Sequence, residues 1–546
     1  MQSLATSAIL LLAMAIPLFL LAAGLITSAW ANAHSRLMVR CNTLATWLAF
    51  SSALVVLVLF VLDPTSRSLS LVSFDLPAGF GAFSISTYIN SLTVIMLLLV
   101  SFVGVIVSRY SRNYLDGEAN QGRFHKWLCL TLAAILTLII SGNLLMFAAA
   151  WIATSLCLHQ LLMFYRGRPA AVLAAHKKFV ASRIGDASLL FAIFLIDSTV
   201  GTLEFEELFQ VMANYSEPLP ASLEWAAIFI VIAAILKSAQ FPFHGWLVQV
   251  MEAPTPVSAL LHAGIVNAGA FLIIRMSPVM SYSEIALGLL AVIGLITLAL
   301  AALVMLTQTS VKVSLAWSTI AQMGFMLLEC GLGLYSLAML HLVAHSLYKA
   351  HAFLASGSVV DSFRAPGINY SKSQSSPFKM ISAPIIAIGA TLFIAALYDM
   401  TLNQQPALIA AGAIVAIALS QLLLHAFKSQ TQGAFLLRAI ALSIGVCTAY
   451  FSLHHGFELA MANSVVPVRN INTAFETFIA LMVIAVFASL LLIQNVFESG
   501  RSAYCDKFYM HFYNGFYIDV YLTRLLQHIW PSPGSSSKLY EANHEH

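Results

Sequence analysis

Charge is what this sequence has least of: Asp, Glu, Lys and Arg make up 9% of its 546 residues, against 60% hydrophobic. That is far more apolar surface than a soluble core of this length needs, so the composition excludes a water-soluble fold and indicates a polytopic membrane protein. The net charge of +3 is too small and too scattered to suggest nucleic-acid binding. Cysteine is sparse as well. Cys41, Cys129, Cys157, Cys330, Cys447 and Cys505 lie far apart with no CxxC pair, so no disulfide framework, zinc knuckle or iron–sulfur motif is written here. A glycine-rich phosphate loop, a dinucleotide fingerprint and a nucleophile elbow are equally missing, which leaves ATP hydrolysis and hydride transfer without a home. The expectation is a transport subunit rather than an enzyme, with no cofactor of its own.

Long apolar runs are what the chain has. About fifteen are long enough to span a bilayer, the first near 7–29, the last near 473–495, with 127–141, 179–197, 225–242, 256–279, 334–358 and 435–453 among those between. The first lacks a charged leader and reads as a retained helix rather than a cleaved signal. Residues 63–86 alternate apolar and polar side chains and read as a short external hairpin. If the N-terminus lies outside, all of the 26 Lys and Arg residues fall on cytoplasmic loops and flanks except Arg67, Arg275 and Arg469 outside and Lys237 and Lys349 in the membrane. This bias sets the expected orientation, N-terminus out and C-terminus cytoplasmic. The acidic loop from Gly201 to Glu224 then falls outside, and the basic loops 109–126, 166–183 and 364–379 inside. His125, His176 and the tail histidines read as solvated. From Phe497 the chain turns aromatic and polar, as an interfacial or partner-docking helix does, and its Ser-, Pro- and Gly-rich end reads as disordered.

A few charges occur where the runs forbid them. Lys237 ends the stretch Trp225–Lys237, and a lysine at that depth costs roughly 2.5–3.5 kcal/mol on insertion scales, so it faces a partner or a hydrated path rather than lipid. Pro242, Pro254 and Pro256 follow closely and predict a discontinuous helix, tolerated where protein or water meets the freed carbonyls. His341, His345 and Lys349 are spaced by four and share one helix face, a spacing that suits proton relay. His262 stands one helix beyond Lys237. Asp186 with Arg183, His159, His244, Lys312 and Asp399 are accessory candidates; Asp186 and Arg183 also read as a structural pair at a helix start.

The segment from Lys237 to Gly264, KSAQFPFHGWLVQVMEAPTPVSALLHAG, resembles the hallmark of the proton-translocating antiporter-like subunits of respiratory complex I and multisubunit cation/proton antiporters. The similarity continues through KKFVASRIGD, TQTSVKVSLAWSTIAQMGFM and HLVAHSLYKAHAFLASGS, over roughly 90–360. It implies an all-α fold of about fifteen membrane helices with two inverted repeats and at least one discontinuous helix. By matching motif, Lys237 becomes the central proton-exchanging lysine, and His262, His341, His345 and Lys349 the axis leading from it. The expected segments are 1–86 (N-terminal helices and hairpin), 87–280 and 281–430 (the repeats), 431–496 (C-terminal helices) and 497–546 (cytoplasmic amphipathic segment and tail).

Departures narrow the family. Where complex I members place a glutamate beside the lysine, this chain reads Trp151-Ile152-Ala153-Thr154-Ser155, leaving Asp186 or His159 to tune Lys237. The second repeat lacks its own lysine and has Tyr398-Asp399-Met400 near that place. These features, with ATSLCLHQLLMFYRGRPAAVLAAHKKF, resemble the DabB-type membrane subunit of the DAB inorganic-carbon pump. That resemblance implies a bacterial inner-membrane complex with a large peripheral partner of the DabA type, zinc-dependent and similar to β-carbonic anhydrase, on the cytoplasmic side. Proton movement through this chain would drive hydration of CO2 to bicarbonate in the partner. A respiratory NADH dehydrogenase subunit or a cation/proton antiporter subunit is the alternative, and a nonconducting membrane anchor a third reading.

Overall fold

The computed structural model describes residues 2–75, 81–215, 219–358, 377–398, 406–428, 433–468, 473–499 and 503–530. Helix α1 (Gln2–Gly24), the short α2 (Ser28–Ala33) and α3 (Ser35–Leu62) pack with α4 (Ser91–Tyr114) and α5 (Gln121–Ile140). Next come α6 (Leu144–Leu162), α7 (Pro169–Val200) and a short α8 (Phe205–Ala213). The starts are written locally. Asn90 caps α4 by accepting from the Thr93 amide, and Asn143 caps α6 through the Leu145 and Met146 amides. Pro169 opens α7, and Gly201, at φ +78°, closes it in the left-handed conformation that glycine adopts without penalty.

The expected hairpin is present as β1 (Arg67–Asp75) and β2 (Ala82–Ile89), antiparallel, with an irregularity between Ser70 and Val72. It runs three residues past the boundary expected at 86. Glu204 pins it to the bundle by accepting from Ser84, from Ser86 Oγ (2.9 Å) and from Asn143 Nδ2 (3.0 Å). This end of the molecule is the hairpin face.

The discontinuity falls where the prolines place it. Helix α9 (Ala221–Lys237) stops at the lysine, and α10 (Gly245–Gln249) and a 3-10 turn (Val250–Glu252) lead into α11 (Thr255–Leu260). The run 256–279 is not one helix. A π-helical turn (Leu261–Ile265) interrupts it before α12 (Ala268–Arg275) and α13 (Ser277–Met280). Such π turns recur at functional sites because the widened backbone re-aims side chains. Close packing holds the break: a Cβ on Gly269 would lie 2.5 Å from the Ala234 carbonyl oxygen, so only glycine lets α12 approach α9 this closely.

Helices α14 (Glu284–Met305), α15 (Val311–Gly331) and α16 (Tyr335–Leu354) follow, then α17 (Pro377–Leu397), α18 (Pro406–Lys428), α19 (Gly433–Met461) and α20 (Thr473–Ser499). By length and composition alone, eleven helices among the described residues can cross a membrane, and Ala8–Gly24 and Ser382–Leu397 are shorter apolar ones. Helices α9 and α16, which carry Lys237 and the histidine–lysine face, coincide with two further runs expected to span but are not among those eleven. Nearly all of the most apolar window of Thr255–Arg275 is buried, but under a quarter of that of Ala474–Gln494. The broken helix is therefore central and α20 peripheral.

Two amphipathic helices, α21 (Ala503–Tyr513) and α22 (Ile518–Ile529), turn through Gly515, Phe516 and Tyr517, all at positive φ. They lie on the face opposite the hairpin, where Tyr509 donates to the Thr307 carbonyl (3.1 Å) and Gln308 to the Tyr513 carbonyl (3.2 Å).

Several sequence expectations change here. Arg275 is not in an external loop: it is 1% exposed, with Nη2 donating to Thr93 Oγ1 (2.7 Å) and the Ile139 carbonyl (2.9 Å), among the rings of Tyr88, Phe205 and Phe271. His125 is not solvated but buried and hydrogen-bonded to Asn42. His176 stacks on Trp530, ring centroids 4.2 Å apart. Asp399, most of the basic loop 364–379 and the tail beyond Trp530 lie outside the described residues.

Candidate functional site

Lys237 is the last residue of α9, 6% exposed. Its Nζ lies 4.1 Å from the centroid of the Trp151 ring and donates to the Trp151 carbonyl at 3.3 Å. A desolvated cation over an indole gains about 2 kcal/mol or more, so the ring replaces part of the lost hydration. Ile152 stands where the related complex I subunits carry the glutamate. The carboxylate whose field reaches Lys237 is Asp186, on α7, which pairs with Arg183 Nη2 at 2.6 Å. The pair lies well inside α7 rather than at a helix start, because that helix already begins at Pro169. His159 sits elsewhere, against Phe179 (5.4 Å between centroids) and His176 (6.5 Å), and its electrostatic neighbours are Lys178, His176 and Arg183.

A second cluster lines α16. Lys349, fully buried, donates to the Leu315 carbonyl (3.0 Å). His345 is buried, and neither of its ring nitrogens has a hydrogen-bond partner among the described residues; the same holds for His262, in the π turn with its ring 4.3 Å from that of Phe353. His262 and Lys349 are both electrostatic neighbours of His345. The His341 ring centroid is 6.2 Å from that of His345, and its two nitrogens are held by Glu329 Oε2 (2.9 Å) and Gln322 Oε1 (2.7 Å).

Polar side chains join the clusters. Ser238, next to Lys237, donates to the Val266 carbonyl (2.9 Å), and the following Asn267 donates to Ser346 Oγ (2.7 Å), between His345 and Lys349 on α16. Lys312 donates to Thr255 Oγ1 (2.8 Å) at the start of α11. His244 is buried between Phe241 and Trp317, ring centroids 4.8 and 5.1 Å away, beneath the C-terminal helices.

Four participants escaped the sequence reading. Glu329 is 4% exposed, although a glutamate two residues from a helix end normally faces water. Lys178 is 3% exposed and donates to the Ser155 carbonyl (2.8 Å) and hydroxyl (2.7 Å). Lys177 donates to both Asp519 oxygens at 2.9 Å, and Gln249 donates to Asp519 Oδ2 at 2.7 Å. Gly245 makes room for that carboxylate: a Cβ there would lie 1.6 Å from Asp519 Oδ1. Pro169, a helix-starting signal, could have extended α7 back over both lysines; for Glu329 and Asp519 the sequence holds no comparable sign.

The chain as a whole is similar to known proteins. Residues 141–398 match the family described as NADH:quinone oxidoreductase/Mrp antiporter, TM, and residues 76–125 match complex I chain 5 N-terminus. Among solved structures, the Mrp complex from a Dietzia species superposes with a TM-score of 0.61 at 21% identity, over 98% of this chain and 61% of that one, a likeness of fold. Curated relatives include a protein of Halothiobacillus neapolitanus named probable inorganic carbon transporter subunit DabB2, 42% identical over 96% of this chain and 95% of its own length. A DabB of Hydrogenovibrio crunogenus is 37% identical over 81% and 83%. With a discontinuous helix ending in a buried lysine, a histidine–lysine face beside it, and identity that runs nearly end to end, this chain belongs to the DabB family of inorganic carbon transporter subunits, within the antiporter-like membrane proteins.

Proposed function

We propose that the chain is the proton-conducting membrane subunit of a bacterial inner-membrane complex that takes up inorganic carbon, coupled to a peripheral zinc protein of the DabA type in which CO2 is hydrated to bicarbonate. One observation supports this above all: titratable side chains, all buried except the half-buried His341, continue from Lys237 past His262 and Lys349 to His345, His341 and Glu329. Each is expensive at membrane depth, and such groups line ion paths far more often than they anchor helices.

In this reading Lys237 is the switch. Its ammonium is seated on Trp151 rather than locked to a carboxylate, so it leaves that seat at lower cost than a lysine in a direct ion pair. Ser238, Asn267 and Ser346 bridge to the α16 face, where water pairs the unpartnered nitrogens of His262 and His345. His341 takes the proton from His345 and passes it to Glu329, at the hairpin end of α15. The segments 87–280 and 281–430 act as the two inverted repeats, each contributing half of the path. The α22 face is the cytoplasmic one, matching its basic loops, and is where the partner docks.

Growth in air of a bacterium lacking carbonic anhydrase tests the reading. The chain would be expressed alone, with a zinc partner of the DabA type, and with that partner plus Lys237→Ala. Rescue by the intact pair only is expected. Failure of a well-assembled pair removes the carbon-pump reading and favours a cation/proton antiporter or respiratory subunit, whereas full rescue by the alanine variant removes conduction through Lys237.

A further inference from the structure

Two lysines dock on one helix. Lys237 donates to the carbonyl of Trp151 and Lys178 to the carbonyl and hydroxyl of Ser155, both acceptors on α6. Those acceptors are four positions apart in sequence, so they stand about 6 Å apart along the axis. Both side chains are buried, and two ammonium groups at that spacing repel strongly where water is scarce. Asp186 is the carboxylate that acts on both, and it already pairs with Arg183. The local balance therefore accommodates one lysine charge with ease and a second only at considerable cost.

We infer that Lys178 and Lys237 share a single proton, and that its transfer from Lys178 to Lys237 is the step that loads the central axis. The N–H bond on the Lys178 ammonium breaks and one forms on the neutral Lys237 amine, directly or through one water, so atoms and charge balance. Direction comes from α6 itself: it runs from the hairpin face toward the α22 face, which places Ser155 one turn nearer α22 than Trp151. One turn further is His159, whose ring neighbours His176, and His176 in turn stacks on Trp530. His176, His159, Lys178 and Lys237 thus form an inward-facing approach, distinct from the His262–Glu329 axis. The pair takes the place of the lysine–glutamate couple looked for at Ile152.

This inference rests on the conduction reading above, and one experiment separates the two. The whole complex, with its partner, would be reconstituted in vesicles and proton flux followed with a pH-sensitive dye across external pH. Lys178→Gln keeps a donor for Ser155 but holds no exchangeable charge, and Lys178→Arg keeps the charge but does not release its proton. Each should reduce flux at least ten-fold without loss of assembly, and residual flux in Lys178→Gln should lose one titration step from its pH profile. The titratable and charged neighbours that shape the profile are Lys237, Asp186, Arg183, Cys157 and His159. If the intact complex conducts and Lys237→Gln is silent, but Lys178→Gln keeps more than half the flux or its pH profile, or Lys178→Arg restores it, the shared proton is refuted and conduction stands. If the intact complex conducts no protons, the conduction reading falls and this inference with it.

Discussion

The Nζ of Lys237 sits over the Trp151 ring, 4.1 Å from its centroid, and bonds the carbonyl of the same residue. A single tryptophan thus supplies both an aromatic face and a backbone oxygen to a buried ammonium, and Asp186, the carboxylate whose field reaches it, is paired with Arg183. That seat is weaker and more easily left than a lysine–glutamate pair, which suits the switching role proposed for Lys237.

Replacing the indole should therefore unseat the lysine. Trp151→Leu is expected to lower proton flux in vesicles by about ten-fold, the equivalent of 1.4 kcal/mol, with Trp151→Phe intermediate. Equal flux in all three proteins would show that the ring is packing alone.

Glu329 and Gln322 hold the two nitrogens of His341 in place. Glu329→Gln keeps the shape but removes the carboxylate that the proposed path ends on, and flux should fall on the order of ten-fold or more, while Glu329→Asp retains part of it. Unchanged flux in the glutamine variant would remove Glu329 from the path.

The C-terminal helix α22 is anchored through a buried charge. Lys177 is 7% exposed at its side chain and Asp519 30%, and Gln249 completes the contact. Asp519→Asn should cost about 1.5–3 kcal/mol of docking free energy. The readout is proteolysis near residues 500–517 in detergent, expected to be markedly faster in the variant; identical cleavage rates would mean that the aromatic contacts alone hold the helix.

Gly269 has no room for a side chain beside the Ala234 carbonyl and the Ser238 hydroxyl. Gly269→Ala should push α12 off α9 and destabilise the fold by about 1–3 kcal/mol, lowering the thermal midpoint of the purified complex. An unchanged midpoint would show that the two helices separate freely.

Arg275 is buried with its guanidinium between a hydroxyl, a carbonyl and three aromatic rings. Arg275→Lys cannot satisfy the two acceptors and the rings together, so a lower yield of assembled complex is expected, measured against wild type by size-exclusion chromatography. Wild-type yield would place this arginine among dispensable packing groups.

The membrane class, the positions of most of the long apolar helices, the break after Lys237 and the placing of His341, His345 and Lys349 on one helix were legible in the sequence. Each depends on a free energy that acts locally along the chain. The cost of an unpaired charge in lipid, the proline's missing donor and the 3.6-residue period need no knowledge of distant neighbours. What only the tertiary structure decided is who meets whom. That Lys178 reaches Ser155, that His341 lies between Glu329 and Gln322, and that Asp519 fits over Gly245 against Lys177 are contacts between elements up to 342 residues apart. Flanking charges such as Lys178 and Glu329 look solvated from the sequence because helix ends usually are. Packing alone determines whether such an end meets water or the interior, because it sets the distances on which a hydrogen bond or a Coulomb interaction depends.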